Sequence, residues 1–318
     1  MIEERSNKGE RVPAIEARAL TRRYRGGHGV FELGFQVEEG EIFGFLGPNG
    51  AGKTTTIRLL MGMLRPTSGG ARIFGLDTWT QSPAVKARIG FVPGDLHLYE
   101  RMTGDDLLHF LAGYRAHGSL DRGRRLAKHL DLDLHRRVQH LSKGNRQKLI
   151  LVQALMHEPP LLVLDEPTSG LDPLVQAAVL DLLVEQRSRG RTVFLSSHLM
   201  QEVEKVADRA AVLRDGRLAA VEHVDRLRAV RERRMEVVLD RPPGGDAFAG
   251  LGGVRVLAVR DSGSRVELAV RGAPHELLQR LAALPVNDLV YPPADLESVF
   301  LHYYRDADPA TRREEVPA

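Results

Sequence analysis

Cysteine is missing from all 318 residues. No disulfide framework and no thiolate zinc site can form, and a reducing compartment is the simplest setting for such a chain. Long apolar runs are missing too. A membrane-spanning helix needs about 20 consecutive apolar residues, and the most apolar windows, such as LILVQALM at 149–156, fall well short. Work at a membrane is therefore expected to pass through another chain. The opening MIEERSNKGE is too charged for a secretory signal. An excess of one charge is also lacking: 45 Lys and Arg face 42 Asp and Glu, a formal net charge of +3 with no block of like sign. So weak a field offers little to a nucleic-acid backbone, and no nucleic-acid partner is expected. What remains, 42% hydrophobic and 27% charged, is the composition of a folded chain long enough for one large or two ordinary domains.

Residues 12–20 alternate weakly and read as a strand, and FELGFQV alternates more clearly, as a half-buried strand does. Between them RRYRGGHG is a basic, glycine-rich turn holding Tyr24. EIFGFLG is a continuous apolar run suited to a strand buried on both faces, and it enters a helix through GPNGAGKTTT. PTSGG reads as a turn, and ARIFG and RIGFVP as short strands. From about 95 to 155 the chain turns to helices with basic faces. PLLVLDEP, TVFLSS, AAVLRDG and RLAAVE are further strands, with helices from about Leu174 and over LMQEVEKVA between them. This alternation predicts an α/β fold with a mainly parallel sheet wrapped by helices. A helix around 224–234 then leads to strands MEVVLD, VRVLAV, RVELAV and NDLVY, a hairpin turn at DSGS, and helices over PHELLQRLAAL and LESVFLHYY. The expected organisation is a first domain over 1–225 with a helical insert at about 95–155, a small accessory or regulatory α+β domain over 226–305, and a disordered tail over 306–318.

Gly47, Gly52, Lys53 and Thr54 satisfy G-x-x-x-x-G-K-[ST] between a buried strand and a helix. Glycines allow backbone angles that turn successive N–H groups inward around phosphate oxygens. Lys53 adds a point charge near the β- and γ-phosphates, the Thr54 hydroxyl can ligate Mg²⁺, and the helix directs its positive end at the same place. LLVLDEPTSGLD supplies acids the loop lacks. An apolar strand delivers Asp165 to the sheet edge, where a carboxylate holds Mg²⁺ through water, and Glu166 beside it can polarise an attacking water. LSKGNRQKLI places Ser142, Gly144 and Asn145 at a helix start, which presents free N–H groups to an anion. Read locally, Ser142 is an ordinary helix cap.

GPNGAGKTT, LSKGN, LVLDEPTSGLDP and SSHLMQEVE follow one another at the separations of the ATP-binding subunits of ABC transporters, and residues 12 to about 222 resemble that family. The likeness is greatest to exporter subunits whose cassette and membrane protein are separate chains, including the ending LESVFLHYY. It implies a P-loop NTPase cassette with a RecA-like core, an antiparallel β subdomain and an inserted α-helical subdomain, followed by a small C-terminal α+β domain. It implies an ATPase using ATP and Mg²⁺, in which Asn49, Gly50, Ala51 and Thr55 complete the phosphate loop around Gly47, Gly52, Lys53 and Thr54, and Tyr24 stacks on adenine. Two cassettes, identical or not, would sit head to tail. Ser142, Lys143, Gly144 and Asn145 of each would then meet the γ-phosphate held by the other, and Asp172 would cross the interface. His198 matches the histidine that touches the γ-phosphate and helps Glu166 hold the attacking water.

Two positions depart from the family pattern. LSKGN stands where LSGGQ is usual; Ser142 and Gly144 are kept, so the anion contact is expected to persist. Gly94 stands where a glutamine usually reaches Mg²⁺ and the attacking water; Asp95 and water are the two substitutes left, and Asp95 is expected to take over the metal contact. A permease is the implied partner, docking on the insert around Leu98, Tyr99, Met102 and Leu107, with the chain peripheral on the cytoplasmic side of the cell membrane. The cargo would be a drug, antibiotic, lipid or ion moving outward. The alternatives are a soluble ATPase of the same type acting on ribosomes or nucleic acid, and a nucleotide-sensing subunit with little turnover. Against the first, there is one phosphate loop and no sustained heptad pattern; against the second stand Glu166 and His198. No N-K-x-D guanine motif marks a GTPase.

Overall fold

The computed structural model describes residues 12–95, 98–115, 117–229, 232–244 and 247–291. It divides into two compact units, Met1–Val221 and Glu222–Ala318. In chain order the first contains β1 (Ile15–Arg23), β2 (Gly29–Val37), β3 (Ile42–Leu46), α1 (Lys53–Leu60), β4 (Ser68–Ile73), β5 (Leu76–Asp77), α2 (Ser82–Ala87) and β6 (Ile89–Val92). Then come α3 (Gly104–Ala112), α4 (Ser119–His129), α5 (Lys143–Leu155), β7 (Leu161–Asp165), α6 (Pro173–Ser188), β8 (Thr192–Ser197), α7 (Met200–Val206), β9 (Arg209–Arg214) and β10 (Arg217–His223). The second holds α8 (Val224–Ala229), β11 (Glu232–Leu239), β12 (Val254–Arg260), β13 (Arg265–Arg271), α9 (His275–Ala282) and β14 (Val286–Val290).

The central sheet has the order β10-β9-β3-β8-β7-β6, and its pairs from β9 to β6 are parallel. Every residue of β3, β7 and β8 is buried, which is why these strands read as unbroken apolar runs rather than alternating ones. The parallel register brings the C-terminal ends of β3, β8 and β7 side by side, so the segments that follow them share one edge of the sheet. A separate antiparallel sheet, β2-β1-β4-β5, packs against it. Phe35 of β2 stacks on Phe43 and Phe194 at 5.8 and 6.1 Å between ring centroids. Such contacts add about 0.5–1.5 kcal/mol per pair beyond area burial. The weak alternation in β1 has a local cause: its register slips between Ala17 and Leu20, and again before Arg22. Helices α3, α4 and α5 gather a second core around Leu107, Leu108, Leu149 and Val152.

Three expectations need correction. Ser68–Gly70 are strand, not turn, because β4 pairs with β1 through Gly70↔Arg18 and Ser68↔Thr21. The helix expected over 224–234 stops at Ala229, and β11 begins at Glu232. Here pairing with β13 overrides the helical composition, since Met235 and Val237 are buried on the inner face. Leu107, expected at a docking groove, is 1% exposed in the insert's own core. The second unit forms the antiparallel sheet β12-β13-β11-β14 with α9 covering one face through Leu277 and Leu281. The segment LESVFLHYY and the tail 306–318 lie outside the described residues.

Candidate functional site

The turn between β3 and α1 is built for close approach. Gly52 sits at φ 109° and ψ 8°, a left-handed conformation that side chains rarely adopt. A Cβ there would also lie 2.6 Å from Val30 Cγ1, and one on Gly47 would lie 2.6 Å from the Leu213 carbonyl oxygen. Asn49 and Gly50 are exposed at the tip, Ala51 is buried, and Thr54 is exposed on the first turn of α1 with Thr55 half-buried beside it. No acid stands in that first turn, so the helix's positive end is not neutralised locally. Lys53 is 5% exposed. Its Nζ donates to the Gly47 and Pro48 carbonyls at 2.6 and 3.1 Å and pairs with Glu166 Oε1 at 3.1 Å.

Glu166 reaches this lysine because β7 ends one strand away from β8 and two from β3. Asp165, 3% exposed, accepts from Ser196 Oγ at 2.6 Å. Glu166 follows at φ 49°, a left-handed angle that costs a non-glycine residue on the order of 1–3 kcal/mol. Its N–H donates to both the carbonyl and the hydroxyl of Ser196 at 3.2 Å, which holds the turn. The other carboxylate oxygen lies 3.1 Å from His198 Nδ1. One carboxylate thus spans the phosphate-loop lysine and the histidine beyond β8.

The sequence reading missed what supports that histidine. Ser197 Oγ donates to Glu202 Oε2 at 2.7 Å and accepts from the Leu199 N–H at 2.9 Å, clasping the turn that carries His198. Glu202 is 5% exposed, and its buried Oε1 has no hydrogen-bond partner among the described residues. Glu202 lies within the quoted SSHLMQEVE, yet nothing in its spacing marks it as buried. Gly94 is brought against the acids: a Cβ there would stand 3.4 Å from Asp165 Oδ2. Asp95 is exposed, and no hydrogen bond or ion pair among the described residues joins it to Asp165 or Thr54.

A second cluster lies apart from these groups. Ser142 caps α5, its Oγ accepting from the Asn145 N–H at 3.2 Å, and it is exposed. Asp172 caps α6, accepting from Leu174 and Val175 N–H at 3.1 Å. The two helix starts adjoin, since a Cβ on Gly144 would touch Val175 at 3.5 Å. The Lys143 side chain crosses to the loop before α6, where its Nζ would lie 2.1 Å from a Cβ on Gly170. No hydrogen bond or ion pair among the described residues joins Ser142–Asn145 to Lys53, Asp165 or Glu166.

Tyr24 follows β1, partly exposed, with the Arg22 guanidinium 5.3 Å from its ring centroid. On the insert, Leu98 and Met102 lean on its core, while Tyr99 is 60% exposed. Tyr99, Phe110 and Tyr114 form an edge-on ladder with centroids 5.7 and 5.6 Å apart. The last two rings, spaced four residues apart and both exposed, were not singled out from sequence. Among the described residues no group of three or more His, Asp or Glu could hold a metal by itself, and no helix is long and apolar enough to cross a membrane.

Comparison with known proteins places these features in context. Residues 30–169 match the family model described as ABC transporter. A fluoroquinolones export ATP-binding protein of Mycobacterium tuberculosis is 39% identical over 234 residues, covering 73% of this chain and 78% of that protein. The bacitracin transport ATP-binding protein BcrA of Bacillus licheniformis is 34% identical over 229 residues, covering 71% and 74%. The solved structure of an ATP-binding subunit of an ABC transporter superposes with a TM-score of 0.62 at 31% identity, over 68% of this chain and 92% of that one. A dimeric ATP-binding cassette in a post-hydrolysis state, bound to ADP and Pi, shares the fold at 22% identity with a TM-score of 0.61, over 66% and 98%.

Proposed function

The chain belongs to the ATP-binding subunits of ABC transporters, and from that premise we propose that it hydrolyses ATP to drive a separate permease exporting a drug or antibiotic. Cargo and direction rest on the relatives named for fluoroquinolones and bacitracin. The observation that carries the catalytic reading is the span of Glu166 from Lys53 to His198, beside the buried Asp165. ATP enters at residues 47–55 with its base on Tyr24. Its phosphates draw Lys53 from the loop carbonyls and so release Glu166, which orients a water and takes its proton while His198 faces the γ-phosphate. Little covalent chemistry is asked of the protein; positioning and charge stabilisation do most of the work.

The donors fit Mg²⁺. An exposed Thr54 hydroxyl and one Asp165 carboxylate match a cation usually held by one or two carboxylates, phosphate oxygens and water. Thr54 and Asp165 would hold it, and when bound it neutralises charge on the β- and γ-phosphates. Gly94 puts only backbone beside Asp165, so water fills that side, and Asp95 is the nearest acid in sequence.

The second cassette supplies Ser142 and the Gly144 N–H to the γ-phosphate, with Asp172, Lys143 and Asn145 on the same interface. The permease docks on the insert at Leu98, Tyr99 and Met102, extended by Phe110 and Tyr114, which holds the chain at the cytoplasmic face of the membrane. The domain after residue 225 is accessory. The test is steady-state ATPase of the chain with its permease. Glu166→Gln is expected to slow turnover by about 10²–10⁴-fold, the range for a lost general base, and to trap an ATP-bound dimer. More than half the wild-type rate in that variant would overturn the assignment.

A further inference from the structure

A cleft of about 300 Å³ opens between α4, the C-terminal end of α5, and the turn from α6 into β8. Its size is at the lower end for small-molecule sites. It lies at the N-terminal ends of β7 and β8, the sheet edge opposite Asp165 and Ser197. Strands of this length put it roughly 15–20 Å from the phosphate loop. Arg122, Arg125, Arg189 and Arg191 line it with His129, against two acids, Glu158 and Glu185.

Most of these charges are accounted for. Glu158 pairs with Arg122 at 3.4 Å and Arg191 at 3.2 Å, and Glu185 pairs with Arg189. Arg122 also donates to the Met156 carbonyl at 3.0 Å and Arg191 to Gln186. Arg125 and His129, one helical turn apart on α4, have no hydrogen-bond or ion-pair partner among the described residues. Nor does the side chain of Arg115, which lies near His157 beside the cleft. Four lining arginines less two glutamates leave an excess of two positive charges, and Arg115 adds to the field from beyond the lining. Three helix C-termini meet here, and each offsets only about half a charge. A net positive, partly dehydrated cleft remains. Burial, above all, and then Arg115 push His157 down to about 4, in keeping with that field.

We infer that this cleft is a second anion site, taking a small phosphate-bearing molecule on the open fork of Arg125, with Arg191 turning from Glu158 to meet it from the core. Guanidinium forks match phosphate oxygens two at a time, and an anion of two or more charges would neutralise the excess. Because α4 belongs to the helical insert while Arg189 and Arg191 belong to the core, the bound molecule ties the two together. It thereby stabilises this unit from the face remote from ATP.

The probe is inorganic pyrophosphate, titrated into the full chain carrying Lys53→Ala so that the phosphate loop contributes least, with chloride at matched ionic strength as control. Calorimetry is expected to show saturable binding and a raised unfolding midpoint. Adding Arg125→Glu should weaken that binding at least tenfold while leaving the ligand-free midpoint within error, since Arg125 is exposed. Absence of saturable binding, equal binding in the Arg125→Glu chain, or an effect reproduced by chloride overturns the proposal. Arg125-dependent capture by anionic lipid vesicles without pyrophosphate binding would overturn the small-molecule assignment.

Discussion

Glu166 faces Lys53 and His198 and rests on a strained backbone, so its setting depends on the residues that hold those two in place. Ser197 and Glu202 are the clearest. Glu202 accepts a hydrogen bond from the Ser197 hydroxyl, whose oxygen is left to accept from the Leu199 N–H on the far side of His198. Glu202→Ala is expected to lower kcat about tenfold with KM for ATP nearly unchanged, and Glu202→Gln, whose amide oxygen still accepts, to restore most of it. A matching rise in KM would mean that the clasp supports the fold rather than the histidine. His157 is a separate case. Its ring is pushed down to about 4 from 6.5, first by burial and then by Arg115. The unfolded chain therefore takes up a proton near 6.5 that folded His157 refuses until about 4. The contribution is whole above pH 6.5 and is lost as pH falls toward 4. The melting midpoint should drop over that interval, and His157→Asn should shrink the drop; an unchanged pH dependence would remove His157 as a cause.

At the scale of elements, the start of α5 carries two roles that a pair of substitutions can separate. Ser142→Ala removes the cap and is expected to cost about 1 kcal/mol of stability. Ser142→Asp keeps a good cap but sets a carboxylate where the other subunit's phosphate is proposed to lie. Its midpoint should stay near wild type while ATPase falls at least tenfold; full turnover would exclude the contact across the dimer. The elements that hold these groups were legible to different degrees. β3, β7 and β8 announce themselves because burial on both faces leaves only apolar residues, and the phosphate loop follows from the spacing of Gly47, Gly52 and Lys53. Ser68–Gly70 gave no strand signal, since glycine has no side chain to alternate and its pairing comes from β1. Only the start of β11 was missed: Glu232, Arg233 and Arg234 are three consecutive charged residues with no alternation to show, whereas MEVVLD from Met235 reads as a strand. The clasp of Glu202 and the arginine cleft depend on segments distant in sequence, which no local pattern reports.

The molecule as a whole has independent cores, one around Phe43, Phe45 and Phe194 and one around Met235, Leu268 and Leu277. Each buries its own apolar face, so a chain ending after His223, at the close of β10, is expected to unfold cooperatively and still bind ATP. Loss of the folded circular-dichroism signal at 25 °C would show instead that the first unit leans on the second. The left-handed backbone at Glu166 has a wider bearing on how such a chain changes over time. Glycine or asparagine would sit there at greater ease, so mutations that abolish hydrolysis can make the polypeptide hardier. A search for variants guided by melting temperature alone would favour inert versions, and only selection on the work done by ATP keeps the uncomfortable residue in place.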